Sequence, residues 1–144
     1  MTLVKRSRIV SYSCEQMFNL VNTIEDYHLF LPYISKATVH HRDENEVQAT
    51  LEIAAAGMTK SFTTRNRLHT NKMIEIRLVD GPFHHLEGFW RFDQVPEGCQ
   101  ISFDLEFEFA SKMFSMFLGP IFEQLADKMV DCFCDRAKEH AEVG

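Results

Sequence analysis

Long apolar segments are missing from this sequence of 144 residues. The longest apolar run, residues 113–122, is interrupted by Ser115, Gly119 and Pro120, and it is shorter than the roughly 20 residues that a membrane-spanning helix needs. Residues 1–10 carry basic side chains but no apolar h-region, so we expect no signal peptide. These absences predict a cytoplasmic protein with at most peripheral contact with a membrane.

Cysteine is also scarce, with four residues in the whole chain. In the reducing cytoplasm we expect Cys14, Cys99, Cys132 and Cys134 to be reduced thiols with structural roles. Cys132 and Cys134 are two residues apart on a predicted helix, which separates them by about 200° around its axis. That spacing disfavours both a disulfide and a shared metal ion.

Motifs that carry metal or catalytic chemistry are missing as well, since HExxH, CxxC, GxSxG and a Gly-rich phosphate loop do not occur. The histidines include two adjacent pairs, His40-His41 and His84-His85, on predicted strands. Neighbouring residues of a strand point to opposite faces of a sheet, so neither pair can chelate one ion. We therefore predict no metal site, no catalytic residues and no required cofactor.

Basic residues are outnumbered by acidic ones, 15 to 21, which gives a formal net charge of −6. This balance disfavours non-specific binding to nucleic acid or anionic lipid, which depends on Lys and Arg meeting phosphates. It still permits a local basic surface. The length and the apolar content of 45% predict one domain, residues 1–144, with a substantial core.

The N-terminal third predicts a strand followed by two short helices. Residues 4–12 are rich in β-forming side chains, and Ser13 can cap a helix over residues 14–21 with Gln16 as its capping-box partner. A second short helix is expected from residue 24 to residue 30, before Pro32.

From residue 33 onward the apolar period changes from helical to two, which predicts six antiparallel strands. They are expected over residues 33–42, 47–55, 58–70, 73–79, 83–95 and 99–109. A helix capped by Ser111 then runs to about residue 142. Gly119-Pro120 interrupts it, which predicts a kink or two separate helices.

The predicted architecture is therefore α+β. A sheet with one apolar face must cover that face, and the C-terminal helix is the only element long enough to do so. Small inward residues (Ala49, Ala55 and Gly88) would let the sheet curve away from the helix and leave a cavity. The excess of Met and Phe in residues 113–122 fits a gate over that cavity, an ordinary core or a dimer interface. The oligomeric state is left open.

Several motifs give the chain a family resemblance. The segment YSCEQMFNLV (residues 12–21), followed by Tyr27 and residues 30–32, resembles the opening of the coenzyme Q-binding and polyketide cyclase-like family of START-like, or helix-grip, domains. A second set of motifs more specifically resembles the family of the ribosome association toxin RatA: residues 56–66 (AGMTKSFTTRN), 78–83, 88–92, 107–109 and 136–139.

The resemblance implies a curved antiparallel sheet of about seven strands around a long C-terminal helix. It also implies one of two activities. The first, which we favour, is non-enzymatic binding of a ubiquinone-like quinone or a lipid in support of respiration. The alternative is binding to the large ribosomal subunit, which would block subunit association and so inhibit translation. A polyketide aromatase or cyclase is less expected, because the inward faces carry few ionisable groups and Lys60 is the exception.

The candidate ligand-binding residues lie on the predicted inner face of the sheet and on the helix. They are Phe62, Thr64, Asn66, Trp90, Phe103, Phe107, Phe117, Leu118, Phe122, Leu125 and Met129. Thr64 and Asn66 supply the polar atoms that would orient a head group, or else they form a hydrogen bond within the sheet.

The opposite face of the same strand is basic. Arg65, Arg67 and His69 alternate along it, and Arg77 of the next strand can join them. These four residues are candidates for contact with ribosomal RNA. The alternative is cross-strand pairing with Glu75 and neighbouring carboxylates on a solvated surface.

Overall fold

Seven antiparallel strands form one curved sheet, and a long C-terminal helix covers its inner face. The computed structural model describes residues 1–55 and 57–143, so Ala56 of the quoted motif lies outside the described residues. The strands are β1 (Thr2–Val10), β2 (Ile34–Arg42), β3 (Glu46–Ala55), β4 (Met58–His69), β5 (Met73–Asp80), β6 (Phe83–Val95) and β7 (Gly98–Phe109). Their spatial order is β1-β7-β6-β5-β4-β3-β2. Only the β1–β7 pair joins strands that are not consecutive in the chain, so the predicted helix-grip architecture is confirmed.

Between β1 and β2 lie helix α1 (Cys14–Asn22) and a 3-10 helix (Ile24–Leu29). The predicted capping box is present, because the Gln16 backbone N–H donates to Ser13 Oγ at 3.1 Å and the Ser13 N–H donates to Gln16 Oε1 at 2.8 Å. This cap fixes where α1 begins. The prediction that β1 extends to residue 12 is wrong, since the strand ends at Val10.

The C-terminal helix α2 (Lys112–Val143) is continuous through Pro120. Its start is as predicted, because the Phe114 N–H donates to Ser111 Oγ at 3.1 Å. The prediction of two separate helices is wrong. Proline removes one backbone hydrogen bond, here the bond to the carbonyl of Met116. Both Pro120 and Met116 are exposed, so water can satisfy that carbonyl and the rest of the ladder persists.

The core lies between the sheet and α2. The alternation of β7 is confirmed, because Cys99, Ile101, Phe103, Leu105 and Phe107 are buried while the carboxylates between them face outward. The ring of Trp90 stacks on Phe103 at 4.3 Å between centroids, and Phe133 of α2 meets the Trp90 ring edge-on at 5.2 Å. These three rings hold the C-terminal half of α2 on the sheet.

The sheet is bent by irregularities in its ladders. The pairing of β2 with β3 slips twice, and the β4–β5 and β6–β7 pairs each slip once. An extra residue on one strand bends that strand and increases its twist. The inner face therefore curves around α2, and space remains between the two layers.

We expect Gly98→Ala to destabilise the fold strongly. Gly98 has φ +146°, and an added Cβ would overlap the carbonyl oxygen of Val10 and lie 2.9 Å from that of Tyr12. Because both obstacles are backbone atoms, the free energy of unfolding should fall by about 3 kcal/mol or more in a urea titration.

The matched control is Gly57→Ala. Gly57 also has a positive φ, +77°, but an added Cβ would meet no atom within 4 Å. We expect a loss of about 1–2 kcal/mol from the left-handed backbone alone. Equal losses in the two variants would contradict the close approach at Gly98.

Candidate ligand site

A small cavity lies between the sheet, the 3-10 helix and α2, and it encloses about 60 Å³. Its walls are formed by Ile24, Tyr27, Leu31, Ile34, Ala49, Leu51, Phe62, Thr64, Asn66, Ile76, Leu86, Trp90, Phe103, Leu105, Phe122, Leu125, Ala126 and Met129. These side chains are almost all aliphatic or aromatic. The volume is about that of two water molecules.

Eight of the eleven candidate ligand residues line this cavity: Phe62, Thr64, Asn66, Trp90, Phe103, Phe122, Leu125 and Met129. The other three do not. Phe107 and Leu118 are buried in the neighbouring core, where the rings of Phe107 and Phe122 are 4.8 Å apart. Phe117 is 57% exposed. Its placement in the cavity is wrong, because successive residues of a helix are about 100° apart and Phe117 leaves the inward stripe that Leu118 follows.

The sequence-based set of ligand residues lacks the wall formed by the 3-10 helix and the segment that follows it. Ile24 and Tyr27 come from that helix, Leu31 follows it, and Ile34 is the first residue of β2. Their spacing of three or four residues is the apolar pattern that could have revealed them. A helix that short carries too little periodicity to stand out in a sequence.

Two polar side chains, Thr64 and Asn66, lie among these apolar walls. They are the buried polar or charged residues of the described part of the chain, with exposed fractions of 8% and 7%. Thr64 Oγ1 donates to Asn66 Oδ1 at 3.2 Å. The hydrogen bond within the sheet, one of the two expectations for this pair, is therefore present, and the same pair contributes polar atoms to the cavity wall.

Tyr27 brings the third polar group to the wall. Its hydroxyl donates a hydrogen bond to the backbone carbonyl oxygen of Val21. Burial raises the pKa of the Tyr27 phenol, with a further contribution from Glu25. The hydroxyl is therefore neutral and committed to the backbone.

The described residues that line the cavity include no His, Asp, Glu, Lys, Arg or Cys. General acid–base catalysis most often uses such a group, or a tyrosine, within hydrogen-bond reach of the reacting atoms. Lys60, the ionisable residue expected on the inner face, lies outside the lining, and its Nζ is 5.0 Å from the centroid of the Phe114 ring.

The first turns of α2 form an exposed apolar surface, made by Met113, Met116 and Phe117. Phe114 beside them is half-buried. Packing in an ordinary core, one of the three expectations for this segment, is wrong for the three exposed residues. The apolar stripe enters the core only at Leu118.

None of the described helices is both long and apolar enough to cross a membrane.

The four basic candidate residues on the outer face of the sheet each lie beside a carboxylate. Arg65 lies 3.5 Å from Glu46 and Arg67 lies 4.0 Å from Glu75. The His69 ring is 3.3 Å from Glu75, and Arg77 is 3.1 Å from Glu87. The expected alternative of cross-strand pairing is thus what the structure has. Arg65 and Arg77 are directly opposite in the β4–β5 register, so the flanking carboxylates of Glu46 on β3 and Glu87 on β6 also offset the repulsion between two like charges.

A group of possible metal ligands, His85, Glu87 and Glu106, also lies on the outer face, with its ligand atoms within 4.8 Å of one another. No local sequence pattern reveals this group, because its residues come from two strands. Arg77 already supplies positive charge to Glu87 at 3.1 Å, and His85 contacts both carboxylates. The group is therefore accounted for by ion pairs.

The profile of the family described as polyketide cyclase / dehydrase and lipid transport matches residues 10–134. The chain belongs to that family. Ribosome association toxin RatA of Escherichia coli (strain K12) is a relative, 41% identical over 140 residues, which cover 96% of this chain and 89% of the toxin. Coenzyme Q-binding protein COQ10, a mitochondrial protein of Drosophila melanogaster, is 25% identical over 141 residues, covering 94% of this chain and 58% of COQ10.

Solved structures share this fold. A START superfamily protein from Mycobacterium smegmatis has a TM-score of 0.70 and 21% identity, over 96% of this chain and 95% of that one. The Zhui aromatase/cyclase from Streptomyces sp. R1128 has a TM-score of 0.78 and 15% identity, over 97% of this chain and 95% of the cyclase. The resemblance to START-like domains and to RatA is confirmed. At these identities the structures support the fold alone.

We expect the Thr64–Asn66 pair to contribute little net stability. In Thr64→Val the Asn66 Oδ1 atom loses its donor, so the free energy of unfolding should fall by about 1–3 kcal/mol. In Thr64→Val with Asn66→Leu both partners become apolar, and the added volume enters the cavity. That double variant should be within about 1 kcal/mol of the parent protein.

Urea titrations of the single and double variants measure both values. If the loss in the double variant equals the sum of the losses in Thr64→Val and Asn66→Leu, the two side chains stabilise the fold independently and the expectation is contradicted.

Proposed function

We propose that this protein binds an apolar ligand with a hydrocarbon chain, a ubiquinone-like prenylated quinone or a lipid, between the sheet and α2. The observation that carries the proposal is the apolar cavity with the buried Thr64–Asn66 pair in its wall. Ligand pockets have this character, with mostly apolar walls and a few polar groups that orient the ligand. Membership of a family that includes lipid transport supports it, as does the likeness to a coenzyme Q-binding protein.

Binding requires the cavity to enlarge. Its volume of about 60 Å³ is well below the roughly 300–1,000 Å³ of ligand pockets. The start of α2 is the element best able to move, because Met113, Met116 and Phe117 are exposed and Pro120 lacks a backbone donor. Each buried methylene of a ligand contributes about 0.8 kcal/mol, so one five-carbon isoprene unit supplies roughly 3 kcal/mol or more toward that movement.

In this proposal the protein binds and releases the ligand without changing it chemically. Support comes from the cavity wall, where the described residues offer no acid or base for proton transfer and the Tyr27 hydroxyl is held by Val21. The relatives named as a toxin and as a coenzyme Q-binding protein agree with a binding role. The family also contains cyclases, so turnover of a polyketide thioester is the outcome that would overturn this part of the proposal.

Ligand binding is tested with protein purified from its host. Native mass spectrometry followed by organic extraction should recover a quinone or a lipid. Trp90 is the only tryptophan in the chain and lines the cavity, so added ubiquinone should quench its fluorescence. Recovery of no quinone or lipid, together with unquenched Trp90, would overturn the proposal.

A matched pair of variants tests where the ligand binds. Ala49→Leu adds volume on the inner face of β3 at the cavity wall, and we expect it to weaken quenching by about tenfold or more. Ala54→Leu makes the same change on the opposite face of the same strand and should leave the affinity unchanged. Equal effects of the two variants would exclude the cavity as the binding site.

The second candidate function is association with the large ribosomal subunit, in a way that prevents its joining to the small one. It is favoured by the 41% identity to RatA over 96% of the chain. The basic residues of β4 are available for it, since Arg67 remains 75% exposed and lies 4.0 Å from Glu75. Exposed pairs of this kind are worth about 0–1 kcal/mol, so phosphates could compete with the carboxylates at little cost.

Sucrose-gradient sedimentation tests this function. Added protein should move with the large subunit and reduce the population of joined ribosomes, and Arg65→Glu with Arg67→Glu should abolish both effects. Lys128→Glu with Lys138→Glu makes the same change in net charge on exposed positions of α2, away from the outer face of the sheet, and should have no effect. Normal subunit joining with the protein left at the top of the gradient would exclude this function.

A further inference from the structure

Two cysteines that are 85 positions apart in the chain meet in the fold. The Sγ atoms of Cys14 and Cys99 lie 2.8 Å apart. Cys14 is the first residue of α1, and Cys99 is the second residue of β7. A disulfide has an S–S distance of about 2.05 Å, so less than one ångström separates this contact from a covalent bond.

The backbone around both cysteines fixes this approach. The Ser13 capping box sets the first turn of α1 and therefore the position of Cys14. Cys99 pairs with Val10 in the β1–β7 ladder. Gly98 brings the same part of the chain against the carbonyl oxygens of Val10 and Tyr12. The two thiols are thus held by three backbone constraints that are independent of the sulfur atoms.

Access to the two thiols is unequal. Cys14 is half-buried and lines a surface cleft with Ser11, Asp93 and Val95. Cys99 has no exposed surface. Burial and the neighbouring Cys14 sulfur raise the pKa of the Cys99 thiol to about 12. A solvent-borne oxidant therefore meets Cys14 first, while Cys99 remains a protonated thiol in contact with it.

We propose that Cys14 and Cys99 form a modification site, a dithiol that a hydroperoxide oxidises to a disulfide within the chain. The Cys14 thiol gives up its proton, and its sulfur attacks one oxygen of hydrogen peroxide. The O–O bond breaks, Cys14 sulfenic acid forms, and the leaving hydroxide takes up that proton to become water. The Cys99 sulfur then gives up its proton and attacks the Cys14 sulfur. The S–O bond breaks, and the leaving oxygen departs as a second water. Two thiols are oxidised and one peroxide is reduced to two waters.

The other two cysteines provide an internal comparison. Cys132 and Cys134 are both on α2, and burial raises the pKa of each thiol. Neither forms a sulfur contact of the kind that joins Cys14 to Cys99 in the described part of the chain. Oxidation should therefore select one pair among the four cysteines.

Neither Cys14 nor Cys99 lines the ligand cavity. The disulfide would tie the start of α1 to the start of β7, with β2 to β6 in the enclosed loop, and so constrain the unfolded chain. The modification is independent of the proposed ligand, and its test does not depend on ligand binding.

To test the proposal, the full chain is treated with a small excess of hydrogen peroxide, and the peroxide is then removed with catalase. The protein is next denatured, and its remaining thiols are alkylated with N-ethylmaleimide. The intact mass should show alkylation of two of the four cysteines. Peptide mapping should find Cys14 linked to Cys99, and dithiothreitol should restore all four sites. The thermal midpoint should rise by several degrees in the oxidised protein.

Cys14→Ser should form no disulfide and show no rise in thermal midpoint after the same treatment. Cys132→Ser is the control and should still form the link between residues 14 and 99. The main measurement uses the parent protein, so it stands even if substitution of the buried Cys99 prevents folding. Three results would overturn the proposal. Cys14 could be oxidised to sulfinic acid while Cys99 is still alkylated, or the disulfide could include Cys132 or Cys134. The third result is that all four thiols remain reduced after the treatment.

Discussion

The contact of Phe133 with the Trp90–Phe103 stack is the interaction on which the rest of the structure depends. It fixes the C-terminal half of α2 to the inner face of the sheet. Without the helix, the aromatic residues of that face would be exposed to water. Salt bridges from β1 to Asp127, at the middle of the helix, and to Asp131, in its C-terminal half, add to this attachment. Among the described residues, the first turns of α2 are held less firmly, because Met113, Met116 and Phe117 face outward and Phe114 contacts the Nζ atom of Lys60. One helix thus has an anchored end and a loosely held end.

This asymmetry relates packing to the proposed ligand binding. A core close-packed throughout would have no place for a guest, and a cavity of several hundred Å³ without a ligand would weaken the fold. The chain has an intermediate arrangement, a void of about 60 Å³ beside a buried polar pair. The exposed first turns of α2 lead to Phe122, whose ring packs against Phe62, Phe83 and Phe107. Displacing that ring would enlarge the void without disturbing the contacts of Phe133.

Much of the fold is encoded in patterns that are local in the sequence. The Ser13–Gln16 cap and the alternation from Cys99 to Phe107 are set by neighbouring residues, so both are recognisable in the order of the amino acids alone. Features that depend on which strands meet are different. The carboxylate partners of Arg65 and Arg77 come from β3 and β6, and the Cys14–Cys99 contact spans most of the chain. Continuity of α2 at Pro120 is not predictable from local pattern for another reason, because it depends on exposure of the freed carbonyl.

The two slips in the pairing of β2 with β3 have an effect at the border of the sheet. β2 is an outermost strand, and its free side presents unpaired N–H and C=O groups that could template another chain. A strand interrupted near Ser35 and again near His40 offers no regular ladder for such an addition. The opposite border, β1, carries the exposed Lys5, and a lysine on an edge strand opposes pairing with another chain, while Arg6 and Arg8 are held by Asp127 and Asp131 of α2. The irregularities that curve the sheet thus also protect the protein from edge-to-edge aggregation.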